Sequence, residues 1–554
     1  MPTDPAGLAA SPLEGARLGF AAADWGVLAA YFVVILVSGW LLGRRKQSST
    51  DDYFLAGRRM PAWAVACSVL ATALSAATFV GVPEVSFTGN LTYLSANIGG
   101  VIAILIVATF FIPAFYRANV SSVYQLLGAR MGPGAQMAGT WTYMLGRVLA
   151  GASRIYIGAI PLAMVVFGDD PSRPVEMSHI AVAIVALCVV GAVYTLAGGI
   201  ASVIWADVIQ TIVFVGAILA AIVVLLQRIP VPIPELISAL HAPPDPSAPA
   251  MTAPSKLTLL STSTDPSRAF TLWTALTGFV LLSLGPYGTD QDLVQRTLTC
   301  KSPLKGSQSA IAAIVLSIPV VALFLIVGLL LHVFYARPDL MGDAAPGEAI
   351  IATEKVFPQF ILHELRGGLA GLLMAGLFAS GLSTINSSLN SMSATLVTDV
   401  YMRFVRDKSP RHYVAISRFA VLGWSVVLTG VAMLCALWQR TGEVGLIDFA
   451  LSVMSFAYAG LIAVFLSAIF TRRGNSWSAI AAIVVGFVSV LAMQPWAWRA
   501  WASCVPLMPG PSDVSRTLAD INVAYPWHLC IGTVLAFAVC QLGRRTSKAE
   551  PSPT

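Results

Sequence analysis

Residues 372–401 read LLMAGLFASGLSTINSSLNSMSATLVTDVY. The stretch is long and apolar enough to cross a bilayer, which takes about 20 residues of helix. Yet within 380–393 nine of fourteen side chains are polar: Ser380, Ser383, Thr384, Asn386, Ser387, Ser388, Asn390, Ser391 and Ser393. A few hydroxyls bonding back to the preceding turn are ordinary in a membrane helix. Nine exceed that, because a lipid-facing helix would leave the amides of Asn386 and Asn390 unsatisfied. Ser380, Ser383, Thr384 and Ser387 share one face by three- and four-residue spacing. Neutral oxygens gathered this way suit a hard, weakly charged ion such as Na+, and no His or Cys cluster points to a transition metal.

The rest of the chain agrees with a membrane reading. Of its 554 residues 57% are apolar and 11% charged, where a soluble chain carries about 25% charged. The mean hydropathy of +0.78 excludes a soluble enzyme with one core, a disordered chain, a coiled coil and a secreted disulfide scaffold. The seven cysteines fall singly with no C-x-x-C, which removes a zinc ribbon or redox pair. A net charge of +6 is loop charge and no nucleic-acid footprint.

A window of about 20 apolar residues finds thirteen candidate spans, at 24–43, 61–83, 92–116, 138–167, 178–198, 201–227, 269–287, 308–336, 366–398, 414–438, 444–470, 477–496 and 526–543. The expected class is an all-α polytopic membrane protein. Basic residues favour cytoplasmic loops. With the N-terminus outside, nineteen of the 33 Lys and Arg fall in inner segments, among them GRRK (43–46), Arg296, YMRFVRDK (401–408) and FTRR (470–473). N-out, C-in is therefore expected, in a cell membrane. The first span lacks a basic segment before it and GRRK follows it, which reads as an uncleaved anchor. Segment 1–23 is then extracytoplasmic, 228–268 and 337–365 are outer loops, and 546–554 is a cytoplasmic tail.

Two more spans carry unusual residues. The second, ACSVLATALSAATFVGVPE (66–84), is rich in small residues. It reads either as a closely packed helix or as one that breaks mid-membrane and frees carbonyls for a cation. The fourth holds Arg147 and Arg154, two turns apart on one face. The readings are a structural pairing with Asp207 or Asp448, snorkelling of Arg147 towards the inner face, or a guanidinium fork at Arg154 receiving the carboxylate of an anionic substrate. Asp207, near the inner end of its span, either attracts a departing cation or partners an arginine.

Together these residues resemble the sodium:solute symporter family. The specific stretches are DDYFLAGRRMPAW (51–63), YTLAGGIASVIWADVIQ (194–210), DQDLVQRTLTCKSPLKG (290–306) and ASGLSTINSSLNSMSATLVTDVY (379–401). The resemblance implies a leucine-transporter-like fold, two five-helix repeats of inverted topology. Residues 61–227 would form the first and 269–470 the second, with 24–60 and 471–545 peripheral. It further implies a sodium site built from the carbonyls of Ala71, Leu74 and Ser380 and the hydroxyls of Ser383 and Thr384, with Asp207 on the inward exit route. Proline-transporting members carry an acid where this chain has Ala73. Sugar members carry Asn there, Gln at Thr78, Glu at Asn97 and Lys at Ser317, so a galactose-type site is not kept. Tyr287 falls where sugar members place an aromatic of the inner gate. The implied substrate region comprises Ser75, Thr78, Asn97, Arg154 and Tyr287.

The expected function is symport of Na+ and a small organic solute, an organic anion being the favoured class, into the cell by a monomer, with no enzyme activity and no cofactor beyond the coupling ion. Rivals are proton coupling, against which Ala73 argues since it removes a carboxylate from the ion site, and a solute sensor of the same fold signalling through a separate chain.

Overall fold

The structure, a computed structural model, describes residues 20–43, 50–169, 174–197, 199–241, 255–346, 355–365, 367–440, 446–494 and 523–544. Most of segment 1–23, the basic residues of GRRK, parts of both expected outer loops and the tail 546–554 lie outside the described residues.

Described residues form helices and connecting turns. In chain order they are α1 (Ala22–Gly43), α2 (Ala62–Ala73), α3 (Ala76–Thr88), α4 (Leu91–Arg117), α5 (Val123–Met131), α6 (Pro133–Phe167), α7 (Met177–Ala197), α8 (Ile200–Arg228) and α9 (Ile233–His241). The second half begins with α10 (Leu272–Leu276), α11 (Gly278–Leu284) and α12 (Gln291–Leu298), followed by α13 (Pro303–Ala336) and α14 (Val356–Glu364). Then come α15 (Leu369–Phe404), α16 (Pro410–Arg440), α17 (Leu446–Phe470), α18 (Ser476–Ala492) and α19 (Tyr525–Gln541). Among described residues nine helices are long and apolar enough to span, and the bent pair α2–α3 makes a tenth. The remaining three expected spans are occupied by shorter pieces: α10–α12, α18 and α19. Of the thirteen expected spans, ten thus coincide with a helix or bent pair able to cross, because polar breaks and short apolar runs divide what a window sees as one segment.

The breaks have local causes. Leu74 and Ser75 are extended (φ −88°, ψ 123° and φ −123°, ψ 178°), and α2 and α3 meet at 62°. No glycine or proline stands there. Instead the Thr78 hydroxyl accepts the Ser75 N–H at 3.2 Å, a side-chain alternative to the helical ladder. In the second half a π-helical turn at Gly285–Thr289, holding Pro286, ends α11. Asp290 then caps α12 by accepting the Asp292 N–H at 2.9 Å.

Helix α15 lies against α1, α6, α7, α8 and α16, and α2 lies against α8, α12, α13 and α15. All of 382–395 on α15 is buried, so its hydroxyls face protein. Peripheral α18 and α19 pack on α17. There Gly460 and Gly486 bring two backbones together, and a Cβ on Gly486 would stand 2.6 Å from the Gly460 Cα.

One end of the bundle is closely tied. Tyr116 Oη donates to the Thr297 and Cys300 carbonyls (3.0 and 2.8 Å), Tyr124 Oη to the Thr289 carbonyl (2.9 Å), and Gln295 to the Phe54 carbonyl (2.6 Å). Asp399, 1% exposed, anchors α15 there. It accepts from Ser122 Oγ, Gln136 Nε2 (3.2 Å), Thr140 Oγ1 (3.2 Å) and Gln125 Nε2 (3.3 Å). Asp399→Ala strands four donors, two of them buried and two half-buried, and should cost about 2–4 kcal/mol, read as earlier thermal unfolding in detergent. Asp399→Asn keeps an acceptor and should lose less; an unchanged Tm for the alanine variant would show that the anchor is not needed.

Candidate functional site

Where the two broken helices approach α6, α13 and α17, they leave a central cavity of about 960 Å³ of empty space, counting the part open to solvent. Its wall includes Thr72, Ala73, Leu74 and Thr78 from the first break, Asn97 and Gly100 from α4, Ser283 and Tyr287 from the second break, and Ser317 from α13. Apolar walls come from Phe279, Leu282, Ile314, Val321 and Leu451. Two cations face it, Arg147 and Arg154, and no carboxylate is among its lining residues.

The two arginines differ. Arg147, 4% exposed, donates to Ser388 Oγ at 2.8 Å, lies 3.6 Å from Asp290 Oδ2 and contacts Asp292 Oδ2 directly. Asp290 also accepts from Tyr458 Oη at 2.9 Å. Arg154 makes a single hydrogen bond, from Nη2 to Met454 Sδ at 3.4 Å, and no ion pair among the described residues. The expected partners Asp207 and Asp448 are therefore not those of Arg147. Both expectations missed Asp290 and Asp292, which sit at the start of α12, just after the second break.

Asp207 has another partner. It accepts from Ser68 Oγ (2.5 Å) and Ser383 Oγ (2.7 Å) and pairs with Arg296 Nη2 at 3.3 Å. Arg296 was expected in an inner loop; it is instead fully buried, on a helix whose eight residues are all buried. Its fork donates to Ser68 Oγ (2.8 Å), to the Asp292 carbonyl and carboxylate (2.6 and 2.8 Å) and to Ser387 Oγ. One guanidinium thus joins α2, α8, α12 and α15. Thr72 Oγ1, on the cavity wall, lies 3.2 Å from Ser387 Oγ, so the cavity and this junction share a hydroxyl.

The residues expected to hold sodium come together at the first break. In a continuous helix the Ser75 N–H would go to the Ala71 carbonyl and the Thr78 N–H to that of Leu74. Here they go to Thr78 Oγ1 (3.2 Å) and to the Ser75 carbonyl (2.9 Å). The break thereby turns the Ala71 and Leu74 carbonyls out of the ladder. Ala71, Leu74 and Ser380 line one small cavity of about 220 Å³ between α2, α8 and α15, with Gln210 and Thr211 opposite. Ser383 and Thr384 follow within a turn on α15, Thr384 Oγ1 bonding to the Ser380 carbonyl at 3.2 Å. A hydroxyl donating its proton to Asp207, as Ser383 does, keeps its lone pairs for a cation.

Of the five residues in the expected substrate region, Thr78, Asn97, Arg154 and Tyr287 line the central cavity. Ser75 does not: it is 2% exposed and sits at the start of α3. A further cavity of about 770 Å³, lined by Glu84, Asn90, Thr92, Phe270 and Asp448 among others, lies beyond Tyr93.

The model of the family described as "Sodium:solute symporter family" matches residues 53–486. The sodium/sialic acid symporter NanT of Aliivibrio fischeri is 30% identical over 490 residues, covering 85% of this chain and 88% of that protein. The sodium/sialic acid symporter SiaT of Proteus mirabilis is 28% identical over 477 residues, covering 85% and 89%. The solved structure of a substrate-bound, outward-open Na+-coupled sialic acid symporter superposes with a TM-score of 0.75 at 24% identity, covering 94% of this chain and 97% of that one. The fold is of the leucine-transporter type.

The two arginines predict opposite outcomes on truncation. Arg147→Ala leaves two buried carboxylates short of a partner and should cost about 3–5 kcal/mol. Arg154→Ala removes one weak contact and should cost less than about 1 kcal/mol. Thermal unfolding in detergent without solute reads both, and equal losses would mean that Arg154 has a structural task.

Proposed function

This chain belongs to the sodium:solute symporter family, and we propose that the solute it moves with Na+ is an organic anion whose carboxylate is received by Arg154. As a family member it is a polytopic membrane symporter of Na+ and a small organic solute, not an enzyme, and Na+ is its coupling ion. The observation that carries the anion reading is one guanidinium in an acid-free cavity with only a thioether beside it. A planar fork suits a carboxylate, and the relatives named for sialic acid carry an acidic sugar. Apolar walls interrupted by Thr78, Asn97, Ser283, Ser317 and Tyr287 suit a body with few hydroxyls.

The proposed ion site is the set Ala71, Leu74, Ser380, Ser383 and Thr384. Five neutral oxygens at a helix break fit Na+ by charge and hardness, and a bound ion would tie α2 to α15. Asp207, one hydroxyl away, is the proposed first stop on the inward exit. Proton coupling is the weaker reading, since the site itself lacks a carboxylate. Residues 61–227 and 269–470 are proposed as the inverted repeats, supported by a broken first helix in each. The protomer is proposed to work alone.

In proteoliposomes, Ser383→Ala with Thr384→Ala should abolish Na+-dependent uptake while folding is kept. Arg154→Lys should raise the solute KM at least tenfold, and Arg154→Ala more. Unaltered uptake in the double variant would remove the ion site; normal uptake by Arg154→Ala would remove the anion reading.

The proposed orientation is N-out, C-in, supported by the loop positions of the basic clusters. A cysteine placed after Arg545 should react with an impermeant maleimide only in inverted vesicles; labelling in intact cells would reverse the topology.

A further inference from the structure

The charges of the buried ionic junction and of the central cavity's own lining can be counted. Asp207, Asp290 and Asp292 are served by two guanidiniums: Arg296 lies 3.3 Å from Asp207 and 2.8 Å from Asp292, and Arg147 lies 3.6 Å from Asp290 and against Asp292. These five side chains are each 3% exposed or less, so water screens none of them. Two cations against three anions leave one negative charge. The third guanidinium, Arg154, faces the same cavity as Arg147 and stands within electrostatic range of Arg147, Asp290 and Asp292. With Arg154 the six charges sum to zero. Glu84 and Asp448 belong to the other cavity.

We propose that this zero sum is the coupling device. An organic anion on Arg154 cancels that residue's charge and leaves the cluster at −1. One Na+ at the α2–α15 break restores the balance, since the Ser383 hydroxyl donates directly to Asp207. The inference rests on the reading that Arg154 receives the anion. Sodium and solute then need no shared contact, because each lowers the electrostatic cost of burying the other, and the effect is reciprocal. Thr72 lines the cavity and touches Ser387, so the cavity and the junction are also in direct contact. Unit charges roughly 10 Å apart at an effective dielectric constant of about 20 alter each other's affinity by about tenfold or more.

The test is a Na+ titration of the purified full-length protein in detergent, Na+ replacing K+ at constant ionic strength, read as thermal stabilisation. Without solute, Arg154→Gln should bind Na+ about tenfold more tightly than the wild type, because the cluster is already at −1. Arg154→Met, a second neutral variant, should match it, and Arg154→Lys should stay at the wild-type value. Neutral variants with wild-type Na+ affinity, or a lysine variant that tightens as they do, would overturn the charge balance. A second arm adds potassium salts of monocarboxylates from acetate to sialic acid. In the wild type an anion that binds should tighten Na+ by about tenfold, and in the neutral variants it should have no effect. Neutral variants that bind Na+ tightly and still respond to the anion would overturn the role of Arg154 as anion receiver and leave the charge balance standing. Loss of the anion response with unchanged Na+ affinity would do the reverse.

Discussion

The carboxylate of Asp292 is shared by two guanidiniums that arrive from different directions, Arg147 from α6 and Arg296 from its own helix α12. Through Arg296 it reaches Asp207 on α8, Ser68 on α2 and Ser387 on α15. Through Arg147 it reaches Ser388 and Asp290, and from there Tyr458 on α17. Six helices thus meet at one buried ionic junction. Charges this deep are rarely retained for stability alone, since well-packed apolar groups of similar volume often do as well. What the junction provides is definition: α12, the half of the second broken helix after the break, has one place to sit against α2, α6, α8 and α15.

The two breaks act as a pair. At the first, a threonine hydroxyl takes an amide from the helical ladder and two carbonyls are left out of it beside α15. At the second, a π turn with Pro286 hands over to an Asp290 cap, and the carboxylates of 290 and 292 are aimed at α6. One break exposes neutral oxygens, the other exposes charge. Arg296 stands between them, bonded to Ser68 one turn before the carbonyls and to Asp292 just after the cap. Any movement of one half-helix therefore changes the polar environment of the other. Alternating access requires this of its gates, because ligands can shift only states with which they interact differently.

Much of this was legible in the sequence. The crowded hydroxyls of 380–393 announced a buried polar helix, and it is buried throughout. The small-residue second span left open whether it packs or breaks; it breaks, at Leu74–Ser75. What the sequence withheld was partnership. Arg296 sits in a run of polar residues beside Lys301 and Lys305, so charge counting put it in a loop. Its spacing of four from Asp292 was the available signal, though i,i+4 pairs are as common on solvated helices. Arg147 had visible candidates in Asp207 and Asp448, and sequence distance could not choose between these and a pair of aspartates about 145 residues away. The helix tally was blurred for a related reason: hydropathy windows average across a π turn or a two-residue break.

A transporter that binds both ligands too well in one state would hold them, and one that binds each independently would leak the gradient. The arrangement around Asp292 answers both demands with the same atoms. Its pairs hold the junction together, and every guanidinium involved also donates to hydroxyls, those of Ser68, Ser387 and Ser388, bonds that remain should a carboxylate withdraw. Opening then leaves each guanidinium part of its hydrogen bonding and need not strand a bare charge in a medium where that would cost several kcal/mol. Serines crowd α15 where the arginines reach it for this physical reason: they make a buried ionic junction separable.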